Sequence, residues 1–221
     1  MAALDPRRFR HIAIEGPIGV GKTSLARRLA AYLDAELLLE RADENPFLAR
    51  FYADMPGYAF QTQLYFLFQR VKQMQTARQP GMFVNALVAD FLFAKDALFA
   101  RLNLNDDEYR LYTQMYAQVA PQAVEPDLVI WLQAAPDTLL QRIRRRAIRM
   151  EKDIDAAYLQ RLCDAYAEHF HAYESAPLLA IGTEQFNPVD SDADFATLLE
   201  RLASFRGPRE FFDSHVEIAL G

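Results

Sequence analysis

Apolar residues along this chain alternate between two spacings. Unbroken runs of strand length occur at His11–Glu15 (HIAIE), at 35–40 (AELLLE), at 82–89, at 127–133 (DLVIWLQ) and at 178–181. Runs of this length, rich in β-branched residues and bounded by Gly or Pro, predict strands buried on both faces. Between them the apolar positions recur every three or four residues. Leu25, Leu29 and Leu33 mark a helix over 22–33; Phe60, Leu64, Leu67, Val71 and Met74 mark a longer one over 58–79, which Pro80-Gly81 should stop. Asn105 followed by Asp106, Asp107 and Glu108 has the form of a capping box opening a helix to about residue 118. Further helices are predicted over 136–150, 155–175 and 195–205, while 207–221 has no clear assignment. Strands that alternate with helices predict an α/β fold, with a parallel sheet of about five strands covered by helices on both faces. No repeat or Gly/Ser linker interrupts the chain, so one domain over 1–221 is expected.

The most specific chemistry lies at the first strand–helix corner. Gly16-Pro17-Ile18-Gly19-Val20-Gly21-Lys22-Thr23, followed by Ser24, matches the phosphate-loop pattern G-x-x-x-x-G-K-[ST]. Glycines let successive backbone N–H groups converge into a nest for phosphate oxygens, and the helix beginning near Lys22 adds the positive end of its dipole. Lys22 supplies a charge to the outer phosphates, and the Thr23 hydroxyl suits a magnesium ion. The loop points to a nucleotide triphosphate. By itself it does not choose between a kinase, a switch and a motor.

In an open α/β sheet the ligand crevice lies beyond the carboxyl ends of the strands. Glu40 and Asp90 fall there, each a candidate base or metal ligand and each equally readable as a cap or a solvated turn residue. Asp96 lies in an apolar stretch (FLFAKDALFA); it is either a buried carboxylate in need of a partner or an exposed helix charge beside Lys95. Gln63 and Arg70, seven residues apart, project within about 20° of one another on the long helix. They form either a solvated border or a pair able to face a nucleobase edge. Arg142, Arg144, Arg145, Arg146 and Arg149 crowd one segment, fitting phosphate charge or a solvated face paired to Glu151, Asp153 and Asp155.

Composition narrows the classes. The net charge of −6 argues against a nucleic-acid partner, and one cysteine, Cys163, excludes an internal disulfide and a cysteine-based zinc site. His169 and His171 are two apart on a helix and share no face, so no metal site is expected there. No window approaches the roughly 18 apolar residues of a membrane span. Residues 1–10 are polar, with three arginines and no signal-peptide core, so a cytoplasmic location is expected.

Taken together, these pieces resemble the deoxynucleoside kinase family, in particular its bacterial deoxyadenosine/deoxyguanosine kinase-like members. The similarity runs from about His11 to Pro177. It is carried by the phosphate loop, Glu40 ahead of Asp43-Glu44-Asn45-Pro46-Phe47, Phe51-Tyr52 and Tyr58-Ala59-Phe60 with Gln63, Asp90 with Asp96-Ala97-Leu98-Phe99, and Leu132-Gln133-Ala134 with Arg142-Ile143, Arg146 and Glu151. The resemblance implies a P-loop kinase that uses ATP and Mg2+. It implies Glu40 as general base for the 5′-hydroxyl, Tyr52 and Glu151 on the sugar 3′-hydroxyl, and Gln63, Arg70 and Asp96 on the base. Arg142 and Arg146 would belong to a lid over about 142–153, Thr23 and Asp90 would position the metal, and the chain would be a homodimer.

Two positions depart from the family pattern. An acid-Arg-Ser triplet is usual after the third strand, but here the residues are Asp90-Phe91-Leu92, so the arginine that assists at the 5′-hydroxyl is vacant or replaced by another. Ala147-Ile148 stands where Gly-Arg is common in the lid. The expected activity is ATP-dependent 5′-phosphorylation of a deoxynucleoside, with the Arg70–Asp96 combination suiting a purine or deoxycytidine. The competing expectations are a P-loop kinase for another small acceptor, such as a nucleoside monophosphate, and a nucleotide-binding switch with weakened catalysis.

Overall fold

The computed structural model describes residues 8–77, 86–120 and 124–213. The expected helix stop at Pro80-Gly81 and the first part of the strand predicted over 82–89 lie outside these residues. Along the chain come β1 (His11–Glu15), α1 (Lys22–Leu33), β2 (Glu36–Leu38), α2 (Leu48–Ala53) and α3 (Met55–Ala77). Next are β3 (Leu87–Ala89), α4 (Lys95–Asn103), α5 (Asp106–Val119), β4 (Leu128–Gln133) and α6 (Pro136–Arg146). The last elements are α7 (Ala156–His171), β5 (Leu178–Gly182), α8 (Asp192–Ser204) and β6 (Arg209–Phe212).

The strands form one sheet in the order β2-β3-β1-β4-β5-β6, with every pairing parallel. Six strands are present where the apolar pattern predicted about five. The extra one, β6, lies in the stretch left unassigned: its sequence, REFF, alternates polar and apolar at an edge and is too short for a clear signal. All five residues of β1 are buried, so helices cover both faces, as its uninterrupted apolar run predicts. Helices α2 and α4 had no separate prediction; α2 has only six residues. The capping box exists as expected: Asn105 Oδ1 accepts from the Asp107 and Glu108 backbone N–H groups at 3.0 Å, and Asn105 N donates to Glu108 Oε2 at 3.2 Å.

From β1 the chain crosses to β2 on one side and later to β4 on the other. The carboxyl ends of β1 and β3 therefore flank the point where the winding reverses, which is where open α/β sheets bind ligands.

Candidate functional site

The phosphate loop occupies that point. Gly16 has φ 146°, and a Cβ there would lie 2.3 Å from the Leu132 carbonyl oxygen of β4. Gly19 has φ 85°, and its Cβ would meet the Ile143 side chain of α6 at 2.8 Å. Both glycines are thus required by backbone conformation and by close approach together. Lys22 Nζ is folded back onto the loop, donating to the carbonyls of Gly16 at 2.7 Å and Pro17 at 3.1 Å. Burial lowers the Lys22 ammonium to about 8, with Lys95 adding to the effect against Glu15, Glu40 and Asp90.

Thr23 Oγ1 donates to Asp90 Oδ2 at 2.5 Å, and Asp90 Oδ1 accepts from the Glu40 backbone N–H at 2.6 Å. Asp90 therefore ties the start of α1 to the segment after β2. Burial raises its carboxyl pKa, against the hydrogen bonds from Thr23 and Glu40. A hydroxyl and a carboxylate side by side, both oxygen donors, fit the small protein share of a magnesium site whose other ligands are phosphates and water.

The backbone around Glu40 is clamped on both sides by α3. Gln73 Nε2 donates to the Leu39 carbonyl at 2.7 Å and Gln69 Nε2 to the Arg41 carbonyl at 3.1 Å. The Glu40 side chain meets two cations. Its Oε1 accepts from Arg70 Nε at 2.8 Å and also from Nη2, and its Oε2 accepts from Lys95 Nζ at 2.9 Å. Burial alone would raise the carboxyl, but Arg70 and Lys95 together outweigh it and hold Glu40 at about 2. Arg70 extends the network by donating to Asp96 Oδ1. Asp96 is fully buried, which lifts its carboxyl to about 6 despite Arg70.

One cavity of about 500 Å3 collects most of the residues singled out from the sequence. Lys22, Thr23, Ser24, Glu40, Tyr52, Gln63, Arg70, Asp90, Arg146 and Glu151 all line it, with apolar walls from Phe51, Phe66, Phe99 and Met150. Gln63 and Arg70 are buried, so the reading of a solvated helix border does not hold. Asp96 does not line the cavity and touches it through Arg70. Arg146 Nη2 reaches both Glu151 oxygens at 2.6 Å, so a lid cation and a proposed sugar ligand satisfy each other here.

A second cavity, of about 320 Å3, lies on the outer side of the loop. Gly19, Gly21, Ser24, Arg142, Arg145 and Arg146 line it, facing the 186–190 segment. Arg142 points there, donating to Thr183 Oγ1 at 2.9 Å and to the Thr183 carbonyl at 2.6 Å. Gly19, Ser24 and Arg146 line both cavities, so a long anion seated on the loop would touch both.

Two buried charges were missed in the sequence. Glu15 closes β1 with both oxygens engaged: Oε1 accepts from Gly16 N at 2.9 Å and Tyr166 Oη at 2.8 Å, and Oε2 from Leu92 N at 2.8 Å. Lys95, noted in the sequence only as the neighbour of Asp96, is buried and faces Glu40 and Glu15. Phe91 is fully buried, and the cations beside Glu40 are Arg70 and Lys95. The signal was a Lys-Asp pair enclosed by FLFA and ALFA, a setting too apolar for solvated charges. Among the described residues no group of three or more His, Cys, Asp or Glu could hold a metal, and no helix is long and apolar enough to cross a membrane.

Comparison with known proteins agrees with this geometry. Residues 12–205 match the family described as deoxynucleoside kinase. A deoxyguanosine kinase of Bacillus subtilis (strain 168) is 33% identical over 156 residues, covering 70% of this chain and 75% of that protein. A deoxyadenosine kinase of Dictyostelium discoideum is 34% identical over 180 residues, covering 80% of this chain and 73% of its own. The structure of deoxyadenosine kinase from M. mycoides with bound dATP superposes with a TM-score of 0.77 at 25% identity, over 88% of this chain and all (100%) of that one. With a phosphate loop and an ionised carboxylate facing one cavity, and relatives of this coverage, the chain belongs to the deoxynucleoside kinase family and is a kinase.

Proposed function

We propose that this protein transfers the γ-phosphoryl group of ATP to the 5′-hydroxyl of a deoxynucleoside, with a purine or cytosine base. The observation that carries the reading is Glu40: an ionised carboxylate on the wall of the cavity that Lys22 and Thr23 also line. In the step, the acceptor O–H bond breaks and its proton goes to Glu40. The acceptor oxygen bonds to the γ-phosphorus, and the bond to the bridging oxygen breaks with its electron pair leaving on ADP. Lys22 leaves the loop carbonyls for the phosphates, and Arg146 exchanges Glu151 for them, neutralising charge that grows in the transition state. Magnesium, held by Thr23 and Asp90, would supply further neutralisation of the phosphate oxygens. Arg142 would act from the outer cavity on the same triphosphate.

Glu151, once released, and the Tyr52 phenol take the sugar 3′-hydroxyl; burial keeps that phenol protonated and able to donate. Gln63 and Arg70 face the base between Phe66 and Phe99, and Asp96 acts by orienting Arg70. The names of the relatives, deoxyguanosine and deoxyadenosine kinases, support a purine acceptor. A nucleoside monophosphate fits less well, since Arg70 is already held by Glu40 and Asp96, and Lys95 by Glu40, before any acceptor phosphate arrives. A homodimer is supported by Phe68 on α3 and Leu111 on α5, large apolar side chains that are half exposed in the single chain.

ADP release measured with and without each of the four deoxynucleosides tests the reading. One or more purines, or deoxycytidine, should stimulate it, and Glu40→Gln should lower stimulated turnover by about 10²–10³ while ATP still binds. Release indifferent to every acceptor would leave a nucleotide-binding switch. Full turnover in Glu40→Gln would remove the base.

A further inference from the structure

Lys95 is the first residue of α4, where the helix dipole presents positive charge and disfavours a cation. It is nevertheless buried, with its side chain 4% exposed. Glu15 does not explain its position. Both Glu15 oxygens already accept hydrogen bonds from Gly16, Tyr166 and Leu92, and Lys95 Nζ remains 3.8 Å from Oε2, outside bonding distance. Among the described residues its one direct acceptor is Glu40 Oε2 at 2.9 Å. An ammonium carries three N–H donors, and a buried one needs acceptors for them. Lys95 lines the cavity, so its remaining donors are available to whatever oxygen sits beside Glu40.

We infer that Lys95 serves the transfer step directly, fixing the Glu40 carboxylate through Oε2 and presenting a spare N–H to the acceptor hydroxyl oxygen. The inference rests on the proposed kinase reaction and deepens it. Lys95 neither gives nor takes a proton; the acceptor proton still passes to Glu40. Arg70 binds Oε1 of Glu40, leaving Oε2, with Lys95 on one lone pair, as the oxygen that meets the substrate. Two cations on separate oxygens fix the carboxylate plane better than either would alone.

Other charges also face Glu40 and stay constant in the test: Lys22 from α1, Arg70 from α3, Asp90 after β3, Asp96 from α4, and the Tyr52 and Tyr166 phenols of α2 and α7. Glu15, after β1, reaches the cluster through Lys95.

Lys95→Gln shortens the side chain and removes the charge, so both the Glu40 contact and the spare donor are lost. Expected is a loss of kcat of about 10²–10³, larger than any change in acceptor KM, with ATP binding kept. Lys95→Arg, which keeps the charge and its N–H donors, should recover most of that kcat. Absent wild-type turnover would overturn the proposed reaction; wild-type turnover with kcat unchanged in Lys95→Gln would overturn the role of Lys95. Should Lys95→Gln not fold, Lys95→Met, closer in length, is the second arm, and a folded Lys95→Met with unchanged kcat would refute the inference.

Discussion

The wall behind Glu40 and the lid over the loop are both built from arginines and carboxylates, yet they use charge in opposite ways. Arg70 of α3, with its side chain 3% exposed, is fixed between Asp96 of α4, which packs on α3, and Glu40 in the segment after β2. Arg146, 43% exposed, holds Glu151 across the end of α6. The first arrangement is expensive to disturb and so sets geometry. The second is cheap to break and can be exchanged for phosphate when a nucleotide arrives. The proposed transfer needs both: a carboxylate that does not move, and cations that do.

The largest expected effect comes from breaking the rigid half. Arg70→Met leaves Asp96 buried without its cation, and removing one member of such a pair costs about 3–5 kcal/mol. Urea unfolding should record that loss. It should also be pH-dependent with a definite sign. Asp96 has a folded-state pKa raised to about 6 by burial, above its unfolded value, so its protonated form is favoured in the fold. Without Arg70 that pKa rises further, and the deficit shrinks as pH falls and Asp96 becomes neutral. A deficit that grew on acidification would mean Asp96 is not the group left unpaired.

The lid should respond the other way. Arg146→Gln removes an ion pair whose arginine is screened by solvent although Glu151 is mostly covered, worth about 1 kcal/mol of stability. Its effect belongs in turnover, where losing a phosphate-neutralising contact costs about 10²–10³. A variant equally active and markedly less stable would make Arg146 a structural residue and erase the contrast.

The same contrast explains what could be read from the sequence. The phosphate loop was legible because every determinant lies within eight consecutive residues, and the Asn105 capping box within four. Glu40 and Asp90 were placed correctly at strand ends, since strand length and the switch-point rule are local inferences. Their bond to one another, through the Glu40 N–H, depends on β2 lying beside β3 and has no sequence signature. The contact of Lys95 with Glu40 was hidden for the same reason. Its neighbour Asp96 turns to Arg70 while Lys95 turns to Glu40, so adjacent charges serve different partners from different parts of the chain. Glu15 escaped notice as the last letter of an apolar strand, although a carboxylate there must find donors, and it finds three.

The smallest effect concerns how the lid begins. Ala147 caps α6 with φ 54°, the left-handed conformation, and its N–H bonds to the Ile143 carbonyl at 3.1 Å. A Cβ in this conformation costs roughly 1–2 kcal/mol, which is why glycine commonly occupies the position. Alanine here is one of the chain's two departures from the family pattern. Ala147→Gly relieves that strain but also gives the unfolded chain more freedom, worth about 0.4–1 kcal/mol in the opposite direction. The net expectation is a stabilisation below about 1 kcal/mol, seen as a higher urea midpoint at unchanged slope. Ala147→Val adds a branched side chain at the same φ and should destabilise instead. The pair of variants separates backbone strain from side-chain contact, because only strain predicts opposite signs for removing and enlarging the same side chain. If both destabilised, the alanine methyl would be a packing contact of the lid, and the lid would be less free to exchange partners than its exposed ion pair implies.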